Sequence, residues 1–201
     1  KADFIVTGIW TEKSVKEAAK YGVAHIAASS AANHFMTIPP RNEWQLSDDA
    51  AYVHICTNET VGGVEFQEIP QVDKPLVADV SSNILSRVWD INRFGVLFGG
   101  AQKNIGPAGL SIVIVRKDLL GHAMPITPTI WDWAKQAEND SMLNTPPTFS
   151  VYLAGLVFKW LKRQGGVAAI EQQNILKSKL LYDCIDQSSL YVGKIDQKSV
   201  V

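Results

Sequence analysis

A glycine-rich segment that contains a single lysine, residues 99–109 (GGAQKNIGPAG), separates two short apolar runs. Residues 96–98 lead into this segment, and residues 110–115 follow it. Runs this short, rich in Val and Ile and bounded by Gly and Pro, are typical of buried strands. The pattern therefore predicts that Lys103 lies in a tight connection between two strands, close to the core.

The predicted position of Lys103 has two interpretations. An unpaired lysine is rarely fully buried, and a desolvated lysine amine can act as a base or form an imine with a carbonyl compound. On these eleven residues alone, a surface lysine on a glycine-rich turn explains the pattern equally well. An ATP-binding loop is not expected, because the segment lacks the G-x-x-x-x-G-K-[ST] spacing.

Length and composition are those of an ordinary globular domain. The chain has 201 residues, of which 46% are hydrophobic and 19% are charged, and its formal net charge is -1. This charge balance predicts no nucleic-acid or membrane-surface partner, and no apolar run approaches the roughly 20 residues of a membrane span. Two cysteines, Cys56 and Cys184, indicate a reducing, cytoplasmic compartment rather than a disulfide framework. The first residues carry neither Met nor a signal-peptide pattern, so the chain is expected to begin within a domain.

Short apolar runs alternate with helical or irregular stretches, which predicts an α/β sheet with helices packed on it. A helix is expected from Glu12 to about Tyr21, with Thr11 as its N-cap, after an apolar run at the start of the chain. Residues 29–49 and 121–148 are expected to be mostly irregular. The predicted strands lie at 23–28, 51–56, 64–66, 75–79, 96–98 and 110–115.

Two long helices are predicted towards the end of the chain. The first begins near Pro147, a residue that suits the first helical position, and ends at Arg163 before two glycines. The second runs from about Val167 to Asp186. Residues 188–201 show no stable pattern.

Three polar or reactive side chains, Thr60, Asp79 and Lys103, follow predicted strand ends, where α/β folds build ligand sites. A carboxylate 24 residues before a buried lysine, on a neighbouring strand, suits pyridoxal phosphate (PLP) chemistry. The lysine holds the aldehyde as an imine, and the carboxylate keeps the pyridine nitrogen protonated so that the ring accepts electrons. A structural salt bridge between Asp79 and Lys103 is the alternative interpretation.

Four motifs of the chain carry a resemblance: residues 78–82 (ADVSS), 100–109 (GAQKNIGPAG), 58–60 (NET) and 144–148 (NTPPT). They closely resemble the phosphoserine aminotransferase family of PLP-dependent, class V aminotransferases. The match extends in order from about residue 3 to residue 187, and the lysine segment is its most specific part. Residues 42–47 (NEWQLS) match less specifically.

The resemblance implies a fold class and a domain division. The fold would be α/β, the large domain of a fold-type I PLP-dependent transferase, with a mostly parallel mixed sheet flanked by helices. Residues 1–187 would form part of this PLP-binding large domain. Residues 188–201 would begin the linker to a C-terminal small domain.

The resemblance also implies roles for four residues around the cofactor ring. Lys103 would bind PLP covalently and later move a proton between the substrate Cα and the cofactor. Asp79 would pair with the pyridinium nitrogen, Trp10 would stack on the ring, and Thr60 would donate a hydrogen bond to the phenolic oxygen. Without the resemblance, a core tryptophan and an ordinary turn threonine would explain Trp10 and Thr60.

Three further residues would contact the cofactor phosphate. The resemblance implies that Gln102 reaches the phosphate within one chain, whereas Asn144 and Thr145 reach it from the other subunit of a homodimer. Without the resemblance, Asn144 and Thr145 would most often be helix-capping residues.

The function that the resemblance implies is amino-group transfer between glutamate and 3-phosphohydroxypyruvate in serine biosynthesis. The family is longer at both ends, and these ends supply part of the phosphate site and the groups that bind the substrate. Two alternatives stay open. The chain could derive from another fold-type I PLP enzyme, or it could be a cofactor-binding dimerisation fragment without turnover.

Overall fold

A sheet of short strands with helices beside it makes up residues 1–195, the part of the chain that the computed structural model describes. Residues 188–195 form no helix or strand, as predicted. The rest of that predicted irregular stretch, residues 196–201, lies outside the described residues. No helix within residues 1–195 is both long enough and apolar enough to cross a membrane.

Eight strands and four α-helices follow one another within residues 1–195. The strands are β1 (Ala2–Val6), β2 (Ala24–Ser29), β3 (Val53–Cys56), β4 (Asn58–Glu59), β5 (Val64–Glu65), β6 (Leu76–Asp79), β7 (Val96–Gly100) and β8 (Ser111–Val115). The helices are α1 (Ile9–Ala18), α2 (Trp133–Glu138), α3 (Thr148–Arg163) and α4 (Gly166–Asp186). Six of these strands, all but β1 and β4, and the two long helices lie where the sequence predicts them, within a few residues at each end.

The main sheet has six strands in the order β2-β1-β3-β6-β7-β8. All neighbouring pairs are parallel except β7 and β8, which are antiparallel. Cys56 of β3 pairs with Asp79 of β6, and Asp79 pairs with Phe98 of β7. The carboxyl ends of these three strands therefore meet at one edge of the sheet. A small antiparallel hairpin, β4 and β5, lies directly after β3.

The two faces of the sheet bury different groups. One face contributes Ile5, Ile55 and Leu97 to the largest apolar cluster, which also contains Trp44 and Phe66. The other face carries Phe4 and Val6, which pack against Val15 and Ala18 of α1. Burial on both faces explains why the central strands are nearly continuous apolar runs in the sequence.

The start of α1 differs from the prediction. The helix begins at Ile9, three residues before Glu12, and Gly8 rather than Thr11 is its N-cap. The Thr11 hydroxyl accepts hydrogen bonds from the backbone N–H groups of Thr7 at 2.9 Å and Gly8 at 3.2 Å. The capping group that the sequence did not reveal is Glu59, a carboxylate 48 residues away from Thr11.

Two further predictions are wrong. Strand β8 was expected to be buried, but Val113 and Ile114 are 43% and 45% exposed, because β8 is the edge strand of the sheet in this chain. Residues 121–148, expected to be irregular, contain the short helix α2. Its N-cap is Asp132, whose carboxylate accepts a hydrogen bond from the Ala134 N–H at 2.9 Å. A helix of six residues is too short to show a clear apolar period.

Candidate active site

Lys103 lies in the turn that connects β7 to β8, at the carboxyl edge of the sheet. Its ammonium group donates a hydrogen bond to Thr60 Oγ1 at 2.7 Å, and Nζ lies 5.9 Å from the centre of the Trp10 ring. The structure thus brings together three of the predicted site residues, which are 43 or more positions apart in the sequence.

The prediction that Lys103 is close to the core is wrong for its side chain, which is exposed. The core positions of this turn are Ala101 and Ile105, both 0% exposed, and they pack against Ala154 of α3. The turn is fixed further by the Gly106 N–H, which donates to the Ala101 carbonyl at 2.7 Å. The backbone of Lys103 is therefore anchored, whereas its side chain points out of the sheet.

Gly99 is required near the end of β7 because another chain segment approaches closely, whereas Gly100 faces only the flexible Gln102 side chain. A Cβ atom on Gly99 would lie 3.0 Å from the Cα of Ser81, and one on Gly100 would overlap the Gln102 side chain. Gln102 itself is exposed, and its amide group folds back over Gly100.

Asp79 ends β6 between the two neighbouring strand ends and is partly buried. Ser81 donates its N–H and its hydroxyl to the same oxygen, Oδ1, at 2.9 and 2.6 Å. The Ser81 hydroxyl also accepts the Gly100 N–H at 3.2 Å, which ties Asp79 to the start of the lysine segment. Among residues 1–195, no donor reaches Oδ2 and no ion pair joins Asp79 to Lys103, so the salt-bridge interpretation is wrong.

His54 lies on the same sheet face as Asp79, two positions before Cys56. Its ring packs 5.1 Å from the Phe4 ring and 6.2 Å from the Phe98 ring, and its Nδ1 atom is buried without a hydrogen-bond partner. Burial lowers the pKa of His54 to about 4, although the negative charge of Asp79 opposes this effect. His54 is therefore neutral at pH 7 and does not neutralise the Asp79 carboxylate.

The Cys56 thiol is not a candidate nucleophile. Burial, followed by the nearby carboxylates of Asp79 and Glu59, raises the pKa of Cys56 well above its ordinary value. The thiol also donates a hydrogen bond to the Asn58 carbonyl at 3.2 Å. A protonated, buried thiol packs as a small apolar group at this edge.

Asn144 and Thr145 are not brought to this site within the chain. Both are exposed in the segment that precedes α3, and the Asn144 side-chain amide donates a hydrogen bond to the Thr145 carbonyl at 3.4 Å. The first turn of α3 instead touches the lysine segment, where Ser150 Oγ donates to the Ala108 carbonyl at 3.1 Å.

Sequence reasoning gave no role to three residues of this edge: His54, Glu59 and Ser81. Glu59 and Ser81 are part of the NET and ADVSS motifs, but only their neighbours Thr60 and Asp79 were assigned. His54 carried a weaker signal, since a histidine two positions before the end of a predicted buried strand shares the face of that strand end. Burial and hydrogen bonds across distant segments reveal all three.

The fold is a mostly parallel α/β sheet that carries a lysine, a carboxylate, a threonine and an indole at its carboxyl edge. The sequence of the chain matches a known family over nearly its whole length. Residues 2–199 match the sequence pattern of the aminotransferase class-V family, and the chain belongs to that family. It is 61% identical over 201 residues to the phosphoserine aminotransferase of Paraburkholderia phytofirmans, with 99% of this chain and 56% of that protein covered. The predicted resemblance is thereby confirmed.

Solved structures agree with this assignment. The phosphoserine aminotransferase from Bacillus circulans subsp. alkalophilus superposes with a TM-score of 0.96 at 44% identity, covering 100% of this chain and 56% of that one. The PLP-bound phosphoserine aminotransferase from Trichomonas vaginalis gives a TM-score of 0.90 at 40% identity, covering 98% and 56%. These likenesses confirm the predicted fold class. The chain spans about half the length of the curated relatives it matches.

The buried, neutral His54 predicts a specific pH dependence of stability. In the unfolded chain a histidine takes up its proton near pH 6.5, whereas folded His54 does so only near pH 4. The free energy of unfolding should therefore fall as the pH drops from 6.5 to about 4, by about 3 kcal/mol from this group. Denaturant unfolding of the cofactor-free protein should show a shallower pH dependence for His54→Leu. Equal slopes for both proteins would contradict the assignment.

Proposed function

We propose that this chain is the core of a PLP-dependent phosphoserine aminotransferase of the cytoplasm, acting in serine biosynthesis. The whole protein would transfer an amino group between glutamate and 3-phosphohydroxypyruvate. The observation that carries the proposal is the contact of Lys103 with Thr60 beside the Trp10 ring, at the edge where Asp79 ends β6. The relatives named above, with identities of 40–61%, support the choice of reaction. The free thiols Cys56 and Cys184 support a reducing compartment.

A domain division accompanies this proposal. Residues 1–187 are assigned to the PLP-binding large domain, and residues 188–201 to the start of a linker to a small domain. The absence of helix and strand at 188–195 supports a linker there. The relatives' greater length supports further segments in the whole protein.

The side chains at the sheet edge have the chemistry that PLP requires. Lys103 offers a primary amine, Thr60 a hydroxyl donor for the phenolic oxygen, and Trp10 an indole that is 38% exposed and free to cover a ring. Asp79 offers Oδ2 to a protonated pyridine nitrogen, because its other oxygen is occupied by Ser81. When bound, PLP supplies an electron sink for the negative charge that develops at the substrate Cα.

The chain's own groups prepare this chemistry. A neutral His54 brings no competing positive charge to the Asp79 side chain, whose Oδ2 atom remains available to the cofactor nitrogen. Thr60 orients the Lys103 amine at 2.7 Å, and the anchored backbone keeps that amine at the sheet edge, where it would accept and return the Cα proton. Gln102 is exposed and would reach the phosphate by a side-chain rotation.

A rival function, that of a cofactor-binding module without turnover, has one observation in its favour. The chain spans about half of its relatives, so it would bind the cofactor without completing the substrate site. Comparing turnover of this chain with that of the protein expressed from its complete reading frame separates a binding module from an enzyme. Profiling the complete protein against other amino donors and keto acids separates it from other fold-type I enzymes.

Lys103→Ala tests the proposed function directly. The substitution should abolish the visible absorption of the lysine-bound cofactor, because Lys103 is the only amine placed against Thr60 among the described residues. Lys13→Ala is a matched control, since Lys13 Nζ lies only 4.6 Å from the same Trp10 ring. The control should retain the absorption. A band that survives in Lys103→Ala would refute the role of this lysine.

Asp79→Asn should leave covalent cofactor binding intact but slow removal of the Cα proton. A neutral amide cannot hold the pyridine nitrogen in its protonated form, so the electron sink is weakened. We expect the half-reaction with glutamate to slow on the order of a hundredfold or more, measured by stopped-flow absorbance. Near-normal rates in the full-length variant would rule out this role for Asp79.

A homodimer is the proposed assembly, with Asn144 and Thr145 reaching the phosphate in the neighbouring subunit. Within the chain both residues are exposed. They precede Phe149 and Tyr152 of α3, which are 71% and 62% exposed and form an apolar surface suited to a partner. A two-fold axis would then complete two sites at once.

Hybrid dimers test whether the sites are shared. Lys103→Ala dimers should bind PLP only noncovalently, and dimers with both Asn144→Ala and Thr145→Ala should bind it weakly. A hybrid of the two should regain one intact site, because one subunit contributes Lys103 and the other the donor pair. Co-expression with two affinity tags isolates the hybrid for absorbance titration. A hybrid in which no site binds PLP more tightly than the sites of the two parents would show that each site belongs to one chain.

A further inference from the structure

The Glu59 side chain is completely buried and joins the β4–β5 hairpin to the start of α1. Its Oε2 atom accepts the backbone N–H of Trp10 at 2.9 Å. Its Oε1 atom accepts the Thr11 N–H at 2.8 Å and the Thr11 hydroxyl at 2.7 Å. One carboxylate therefore satisfies three donors in the first turn of a helix that begins about fifty positions earlier in the sequence.

The location of this carboxylate is electrostatically favourable. A helix N-terminus concentrates positive potential and free N–H donors, so a negative charge there is stabilised. Hydrogen bonds to an ionised acceptor are stronger than neutral ones. Because Glu59 occupies the N–H groups of Trp10 and Thr11, these two donors are not available to an anionic ligand.

Gly8 provides the space that the carboxylate needs. A Cβ atom at Gly8 would lie 2.6 Å from Glu59 Cδ and 2.7 Å from Oε2, well inside contact distance. The backbone of Gly8 is extended, a conformation open to any residue, so the requirement is for space alone. Glycine and glutamate thus form one packed unit at the start of α1.

Glu59 also immediately precedes Thr60, whose hydroxyl holds Lys103. Glu59 therefore fixes the helical turn of Trp10 through its side-chain hydrogen bonds. It also fixes Thr60, because the two residues are adjacent in the backbone. We propose that Glu59 is a positioning residue that sets the spacing between the Trp10 indole and the Thr60–Lys103 pair. This inference rests on the proposed function, in which a cofactor ring lies against Trp10 and contacts Thr60.

Glu59→Gln should disrupt the hydrogen bond to Trp10 while keeping the hydrogen bonds to Thr11. The single carbonyl oxygen of glutamine would accept both hydrogen bonds from Thr11, which leaves the NH₂ group facing the Trp10 N–H, donor against donor. In the cofactor-free full-length protein, the Trp10 amide should exchange with solvent on the order of tenfold faster, while the Thr11 amide stays protected. PLP should bind on the order of tenfold more weakly.

Glu65→Gln is a matched control, because Glu65 is 1% exposed and lies on the paired strand of the same hairpin. Its carboxylate accepts hydrogen bonds from Asn83 and Arg87 and contacts neither Trp10 nor Thr11. The control should leave Trp10 amide exchange at the wild-type rate, because the hydrogen bonds of Glu65 do not reach α1. Equal effects of both substitutions would overturn the proposal, because general destabilisation would then explain them.

Gly8→Ala is a second variant that keeps the charge and displaces the carboxylate by steric overlap. It should reproduce the faster Trp10 exchange and the weaker PLP binding if Glu59→Gln does not fold. Faster Trp10 exchange with unchanged PLP affinity would reduce Glu59 to a purely structural role and overturn the proposal. Wild-type exchange of the Trp10 amide in both variants would also overturn the proposal. The exchange rate of the Trp10 amide is measured without cofactor, so it is independent of whether Lys103 binds PLP.

Discussion

Parallel pairing of the three central strands is the constraint on which the candidate site depends. The register that places Cys56 beside Asp79, and Asp79 beside Phe98, brings three strand ends to one edge. Everything that follows those ends, including the hairpin with Thr60 and the turn with Lys103, must leave the sheet at the same place. A shift of one residue in β6 would turn the Asp79 carboxylate to the opposite face, into the apolar cluster around Ile55.

A chain of buried polar groups keeps this register from moving. The Asp79 carbonyl accepts the Thr57 N–H at 3.0 Å, and the Thr57 hydroxyl lies 2.7 Å from Asn83 Oδ1. Asn83 in turn donates to Glu65 at 2.7 Å, and Arg87 contacts the other oxygen of Glu65 at 3.3 Å. Breaking one of these contacts would leave a buried polar group unpaired, which is costly. The network therefore ties the strand that carries Asp79 to the hairpin that carries Thr60.

The sequence predicts those features that depend on local pattern. Apolar runs bounded by Gly and Pro predict the central strands, and a polar residue after such a run identified Thr60, Asp79 and Lys103. The predictions that are wrong concern features that depend on contacts with distant segments of the chain. The sequence predicts Thr11 as a helix cap because nothing local indicates that Glu59 supplies the capping carboxylate. The exposure of β8 and of Lys103 likewise depends on what covers the sheet edge, which no local pattern encodes.

The occupied N-terminus of α1 has a consequence for how a phosphate would be held. In many α/β proteins a helix N-terminus at the carboxyl edge of the sheet binds phosphate through its free N–H groups. Here Glu59 takes the N–H groups of Trp10 and Thr11, and its negative charge repels a second anion. In the proposed function, the start of α1 would instead present the Trp10 indole to the cofactor ring. Hydrogen-bond donors to a bound phosphate must therefore come from other parts of the protein. The proposed contributions of Gln102 and of a second subunit meet this requirement.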